Sequence, residues 1–148
     1  RAKNPAITFL RGEADALPFP DGTFDALTVS FAARNLNAGG KGLLKYFREF
    51  RRVLRPGGTF VNIETSRPVS RYIRSLFRAY VRLMTAMVRF LSPEHEAAYG
   101  FLAGTIAVFH APEELSKIIL SAGFSKVETR PLMFGAIAIH RATKKDEG

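Results

Sequence analysis

The chain has 148 residues, of which 47% are hydrophobic and 24% charged, and it contains no cysteine. That is the composition of a folded chain of at most one domain, and it excludes a disulfide framework, a thiolate metal site and a cysteine nucleophile. The net charge is +9, and the excess is local: residues 1–40 are neutral, residues 41–91 carry +10 and residues 92–148 carry −1. A basic zone of this kind suits phosphates, anionic lipids or an anionic substrate, and equally a plain solvated surface. No apolar run reaches the ~18 residues that a membrane-spanning helix requires. The opening residues show no signal-peptide pattern, and a start at Arg1 rather than Met points to a fragment.

In chain order, Ile7–Leu10 reads as a short strand followed by a polar loop. Phe24–Ser30, bounded by the Asp21-Gly22 turn, is rich in strand formers and reads as a second, buried strand. Over 41–55, Leu43, Leu44, Phe47, Phe50 and Leu54 recur at helical spacing. Pro56-Gly57-Gly58 ends that helix, since proline cannot continue it and glycine supplies the turn. Thr59–Thr65 is a third strand. Residues 69–91 form a long amphipathic helix, part of a helical insertion at about 69–98, and a shorter helix starts at Pro93. Pro112-Glu113-Glu114 starts another, with proline in the first turn and carboxylates at the positive end of the dipole; it runs to Gly123. Phe124–Arg130 and Met133–His140 are two final strands, linked tightly at Pro131-Leu132 as an antiparallel hairpin. Strands alternating with helices predict an α/β fold with a mostly parallel sheet and an antiparallel terminal strand.

Three segments have the residue types for chemistry. Gly12–Asp25 (GEADALPFPDGTFD) follows a strand, where open α/β sheets bind ligands. Its glycine admits a flat ligand and the neighbouring carboxylate accepts from an exocyclic amine; the same residues also serve simple turns. Ser30–Asn35 (SFAARN) places an arginine and an asparagine past a strand end, suited to an oxyanion, or else to a capped turn and a solvated cation. Arg52–Ser66 (RVLRPGGTFVNIETS) combines a helix end, a glycine turn and a buried strand, with Glu64 as the sole acid between Glu49 and Glu94.

Together these segments resemble the ubiquinone/menaquinone biosynthesis C-methyltransferases, the UbiE/MenG family of class I S-adenosylmethionine (SAM) enzymes. The family reads G-D-A-x-x-L-P-F-x-D-x-S/T-F-D, then S-F-G-x-R-N, then R-V-L-K/R-P-G-G-x-F-x-x-x-E-x-S. Later residues fit as well: Ala98–Leu102, Phe109, Glu113–Leu115, Ala122–Phe124 and Gly135 through His140-Arg141. Two departures stand out. Glu13 replaces the usual Asp or Asn, and Ala32 replaces a glycine. The family's Gly-rich loop and its ribose-binding acid would lie before Arg1. The resemblance therefore implies the C-terminal part of a Rossmann-like class I methyltransferase, residues 1–148 forming a partial domain without the first two strands of the order 3-2-1-4-5-7-6. The Ile7–Leu10 strand would then be displaced, swapped with another chain, or paired with a separate piece, and the sheet would expose an edge and half a core.

The resemblance also implies roles. Glu13 would meet the adenine amine of SAM, the Ala14 backbone its edge, and Ser30 the methionine end. Arg34 would stabilise a substrate phenolate or orient a water, and Asn35 would hold the substrate oxygen. The implied reaction is C-methylation of a prenylated hydroquinone, demethylmenaquinol or a ubiquinol precursor, by a cytoplasmic protein with peripheral membrane contact. A homodimer or strand swap fits the incomplete sheet. The competing readings are a methyltransferase for another small molecule and a non-catalytic interaction module. No nucleic-acid partner is expected, because the basic segment lacks a recognised binding motif. Gly39–Gly42 lacks the Ser/Thr of a phosphate loop, and His95, His110 and His140 lack ligand spacing, so no metal site is expected. His140 reads as a structural histidine whose strand end borders the substrate pocket in the family. On the long helix, Arg71, Arg74, Arg78, Arg82 and Arg89 fall within an arc of about 80°. That stripe suits anionic lipid, or plain solvent. The opposite apolar face is expected to pack on the sheet or line a pocket.

Overall fold

The computed structural model describes residues 7–38, 42–68, 70–91 and 110–146. The elements are β1 (Phe24–Ser30), α1 (Ala33–Ala38), α2 (Leu43–Val53), β2 (Leu54–Thr65), α3 (Arg71–Leu91), α4 (Pro112–Ser121), β3 (Lys126–Leu132), a short 3-10 turn (Met133–Gly135) and β4 (Ile137–Thr143). They build one four-stranded sheet in the order β1-β2-β4-β3. β1 and β2 are parallel, while β4 runs antiparallel to both β2 and β3. This is the 4-5-7-6 side of the strand order the resemblance implies.

Alternation divides the sheet into two faces. Phe60, Asn62 and Glu64 of β2 are buried and stand opposite Ala142, His140 and Ala138 of β4, which are buried too. α2 and α4 cover this face. The core is aromatic: the Phe60 ring lies 5.5 Å from Phe47, 5.6 Å from Phe50 and 5.6 Å from Phe124. Leu115 and Ile119 of α4 close it. The other face, with Val61, Ile63, Ile137 and Ile139, is only half-buried. β1 is not the buried strand expected: it is one edge of this sheet and none of its residues is buried.

The α2 face is shifted from the expected one. Leu43, Tyr46, Phe47, Phe50 and Val53 are buried; Leu44 is half-buried, and Leu54 already belongs to β2. The helix stops at Val53, and Arg55–Gly58 forms an irregularity in the β1–β2 ladder, where the pairing jumps from Leu54 to Thr59. Gly58 is required there: a Cβ would lie 2.8 Å from the Arg55 carbonyl oxygen. Gly57, at φ +71°, occupies the left-handed region that glycine tolerates.

Three expectations are corrected. Ile7–Leu10 is not a strand: it is exposed and pairs with nothing among the described residues. A strand needs a ladder partner, and none of the described strands lies beside it. Second, the hairpin link is not Pro131-Leu132. β3 runs through Leu132, and the turn is Met133–Gly135, with φ of 47°, 56° and 87° in succession. Pro131 is tolerated because β3 is the edge strand. Third, of the two alternatives expected for the apolar face of α3, packing on the sheet is not the one seen: among the described residues α3 makes no extensive contact with any strand. The helix expected from Pro93 lies outside the described residues.

Candidate functional site

The site elements meet at the C-terminal ends of the parallel pair. Ser30, the last residue of β1, stands opposite Ile63, and the Phe31 N–H donates to the Ile63 carbonyl at 2.9 Å. Phe31 then adopts φ +50°. A bulky residue in the left-handed region is strained, and such residues gather at functional sites. This sharp exit turns the chain into α1, a helix the sequence reading did not include. α1 carries Arg34 in its first turn and returns it toward the next strand end.

There Arg34 meets Glu64. Its Nη1 donates to Glu64 Oε1 at 2.8 Å and to Thr65 Oγ1 at 3.4 Å. The same carboxylate accepts from the Thr65 backbone N–H at 2.9 Å and its hydroxyl at 3.0 Å, and Oε2 accepts from the Arg34 backbone N–H at 3.4 Å. The Glu64 side chain is 1% exposed and that of Arg34 12%. A carboxylate so deeply buried is tolerable only when paired and hydrogen-bonded. Arg34 Nε is also buried, yet it has no partner among the described residues. In the sequence Glu64 is a lone acid at the end of a strand, and its role becomes visible only where β2 and α1 meet.

The loop at 11–22 is fastened to α2. Arg52 donates through Nη1 to the Phe19 carbonyl at 2.8 Å and to Asp21 at 2.7 Å. Its Nη2 reaches the Leu17 carbonyl at 3.1 Å and Glu49 at 2.8 Å, and Nε reaches Glu49 at 2.9 Å. Glu49 in turn accepts from the Leu17 N–H at 2.6 Å. The Arg52 hydrogen bond is the main cause that holds the Glu49 carboxyl below its usual range. Lys45 pairs with Asp15 at 2.9 Å. Arg52 was expected only to open a motif; fixing this loop is a task the sequence pattern did not reveal.

The five candidate residues are thus placed differently from one another. Glu13 is exposed in the loop, joined to Ala16 by an isolated bridge. Ala14 is half-buried against the core. Ser30 is exposed at the end of β1, Arg34 is mostly buried against Glu64, and Asn35 is exposed on α1 with its N–H on the Ala32 carbonyl. Ser30, Arg34 and Asn35 therefore lie at the end of β1 and in the first turn of α1. No hydrogen bond or ion pair among the described residues links Glu13 to them. Two hollows, of about 480 and 370 Å³, are lined by other residues, the first by Asp15, Lys45 and Arg52 among others, the second by Pro112, Thr129 and Phe134 among others. Among the described residues no acidic or histidine cluster is able to hold a metal.

The profile of the ubiE/COQ5 methyltransferase family matches residues 1–144. The chain belongs to this family. A demethylmenaquinone methyltransferase from Renibacterium salmoninarum is 36% identical over 145 residues, which cover 98% of this chain and 60% of the relative. One from Mycolicibacterium vanbaalenii is 40% identical over 134 residues, 90% of this chain and 57% of the relative. The chain thus spans somewhat more than half the length of the relatives it matches. A crystal structure of a SAM-dependent methyltransferase from Aquifex aeolicus shares the fold, with a TM-score of 0.56 at 18% identity over 92% of this chain and 54% of that one. The partial class I fold expected from the sequence is therefore the observed one.

Proposed function

We propose that the full-length protein transfers a methyl group from SAM to a ring carbon of a prenylated hydroquinone in quinone biosynthesis. The observation carrying this reading is the family membership together with Arg34, held mostly buried at a strand end with an Nε–H that has no partner among the described residues. Glu13 and Ser30 fit a share of the cofactor cradle: both are exposed, and neither side chain is engaged among the described residues. Glu13 would accept from the adenine amine, the Ala14 backbone would meet the adenine edge, and Ser30 would bind the methionine end. SAM, when bound, supplies an electrophilic methyl on a sulfonium.

The remaining work falls to this chain's own residues. A phenol ring carbon is a poor nucleophile until the hydroxyl loses its proton. Arg34 stabilises the resulting phenolate, because guanidinium N–H groups are strong charge-assisted donors. Arginine is too weak an acid to act as a plain base, so the hydroxyl proton leaves to water; when the carbon–methyl bond forms, the carbon–sulfur bond of the donor breaks to leave the neutral thioether, and the hydrogen on the methylated ring carbon passes through water to the ring oxygen as aromaticity returns. Asn35 holds the substrate oxygen in place. In the full-length protein, Arg34→Ala is expected to cut turnover on demethylmenaquinol while SAM affinity, measured by calorimetry, stays nearly unchanged. Equal loss of both would refute the role.

A second observation favours contact with an anionic membrane surface. Tyr72, Leu76, Tyr80, Leu83, Met87 and Phe90 of α3 are all exposed. At ~100° per residue they lie within an arc of about 80°. Arg71, Arg78 and Arg82 lie beyond them, and α3 contains no acid. Among the described residues no helix is long and apolar enough to cross a membrane, so this helix would lie in the interface plane. Co-sedimentation with phosphatidylglycerol vesicles, lost at high salt and absent with phosphatidylcholine, tests it.

A further inference from the structure

We propose that Glu64 is a positioning residue that fixes the working edge of Arg34. A guanidinium offers two forks of N–H donors, and which of them is free decides where an oxyanion binds. Glu64 occupies the Nη1 side, with Thr65 as its second anchor. The Nε–H is buried and has no partner among the described residues. One orientation of the guanidinium is therefore selected, and its Nη2 end, turned away from Glu64, is the part left for a substrate oxygen.

The energetics support a use beyond stability. Replacing a buried ion pair by apolar residues is often neutral or stabilising, so such a pair is a poor stabiliser in its own right. Here the pair joins two elements that the sheet brings side by side, the start of α1 and the end of β2. Glu64 also accepts from the Arg34 backbone N–H, so one carboxylate fixes both the base and the tip of the same residue. Thr65 Oγ1 donates to Glu64 and accepts from Arg34 Nη1, which closes a three-membered network. A carboxylate that only needed neutralising would not require contacts at both ends of the arginine.

The inference rests on the reading that Arg34 faces the phenolate. The test is a double-mutant cycle in the full-length protein, using Arg34→Ala, Glu64→Gln and both together. Turnover on demethylmenaquinol, KM for each substrate and SAM affinity are measured, with thermal melting to confirm folding. Glu64→Gln is expected to lower kcat by up to about 100-fold, the scale of a misplaced reacting group, with SAM affinity unchanged. In the Arg34→Ala background the same change should cost nothing further. If Glu64→Gln does not fold, Glu64→Asp replaces it, and its shorter reach should give a smaller loss of kcat that again vanishes in the Arg34→Ala background. Equal losses in both backgrounds, or no loss on changing Glu64 while Arg34→Ala is impaired, would overturn the positioning role. Full turnover in Arg34→Ala would instead overturn the reading of Arg34, and the proposal with it.

Discussion

Asn62 sits in the middle of the sheet and has the wrong chemistry for its place. It is 0% exposed, and neither its Oδ1 nor its Nδ2 has a partner among the described residues. Directly across the ladder stands His140, also fully buried. The His140 Nε2 lies 3.0 Å from the Pro112 carbonyl oxygen. A carbonyl only accepts, so Nε2 carries the proton and Nδ1 is a bare acceptor, likewise without a partner among the described residues. An unsatisfied buried polar group costs about 1–3 kcal/mol. Replacing Asn62 by Val removes two such groups and places a β-branched side chain on a strand that favours it. Asn62→Val is therefore expected to stabilise the protein by about 2 kcal/mol, which raises Tm by about 4–8 °C for a chain of this size. Calorimetric or circular-dichroism melts of the parent and the variant provide the assay. A loss of 1 kcal/mol or more (~1, against the sign expected from burial) would refute the reasoning. It would mean that the Asn62 amide does donate to His140 Nδ1, directly or through a buried water.

His140 itself should make stability depend on pH. Burial pushes its pKa below the ordinary 6.5, against smaller opposing effects from the Pro112 carbonyl and Glu113. The unfolded histidine then binds its proton at higher pH than the folded one, so stability falls as pH drops below about 6.5 toward the folded pKa. His140→Gln should flatten urea-denaturation midpoints between pH 7 and that lower value; an unchanged slope would contradict the burial argument. Gly58→Ala should cost about 1–3 kcal/mol through overpacking, because the new Cβ would fall 2.8 Å from the Arg55 oxygen and 3.2 Å from Leu54 Cβ. A change within about 0.5 kcal/mol, the range of an ordinary surface substitution, would show that the irregularity before Thr59 relaxes freely.

Much of this protein is legible in its residue order because much of it is local. Periodicity marks α2 and α3, β-branched and aromatic runs mark β1 and the second half of β2, and Pro112 with two glutamates marks the start of α4. There the Ala111 N–H donates back to Glu114 Oε2 at 3.0 Å. The family motifs are equally local, so membership too was readable from the chain. The misjudged elements depend on distant partners. Ile7–Leu10 has the composition of a strand, but no ladder forms without a neighbour. α1 has only six residues, too short for a periodic signal, and exists because Phe31 turns the chain sharply and Glu64 receives Arg34. The hairpin turn moved because three left-handed residues, two of them not glycine, are held by pairing on either side.

The candidate site divides in the same way. Residue order determined which side chains are available: an arginine and an asparagine after a strand, a carboxylate in a glycine loop, a lone acid at a strand end. Only the tertiary structure decided that Arg34 and Glu64, 30 positions apart, share a buried hydrogen bond, that Arg52 holds the loop of Glu13, and that Asn62 faces His140. Local preference acts through neighbours in the chain, whereas ion pairs and orphaned polar groups are set by which strands lie side by side, and that becomes definite only once the sheet is assembled.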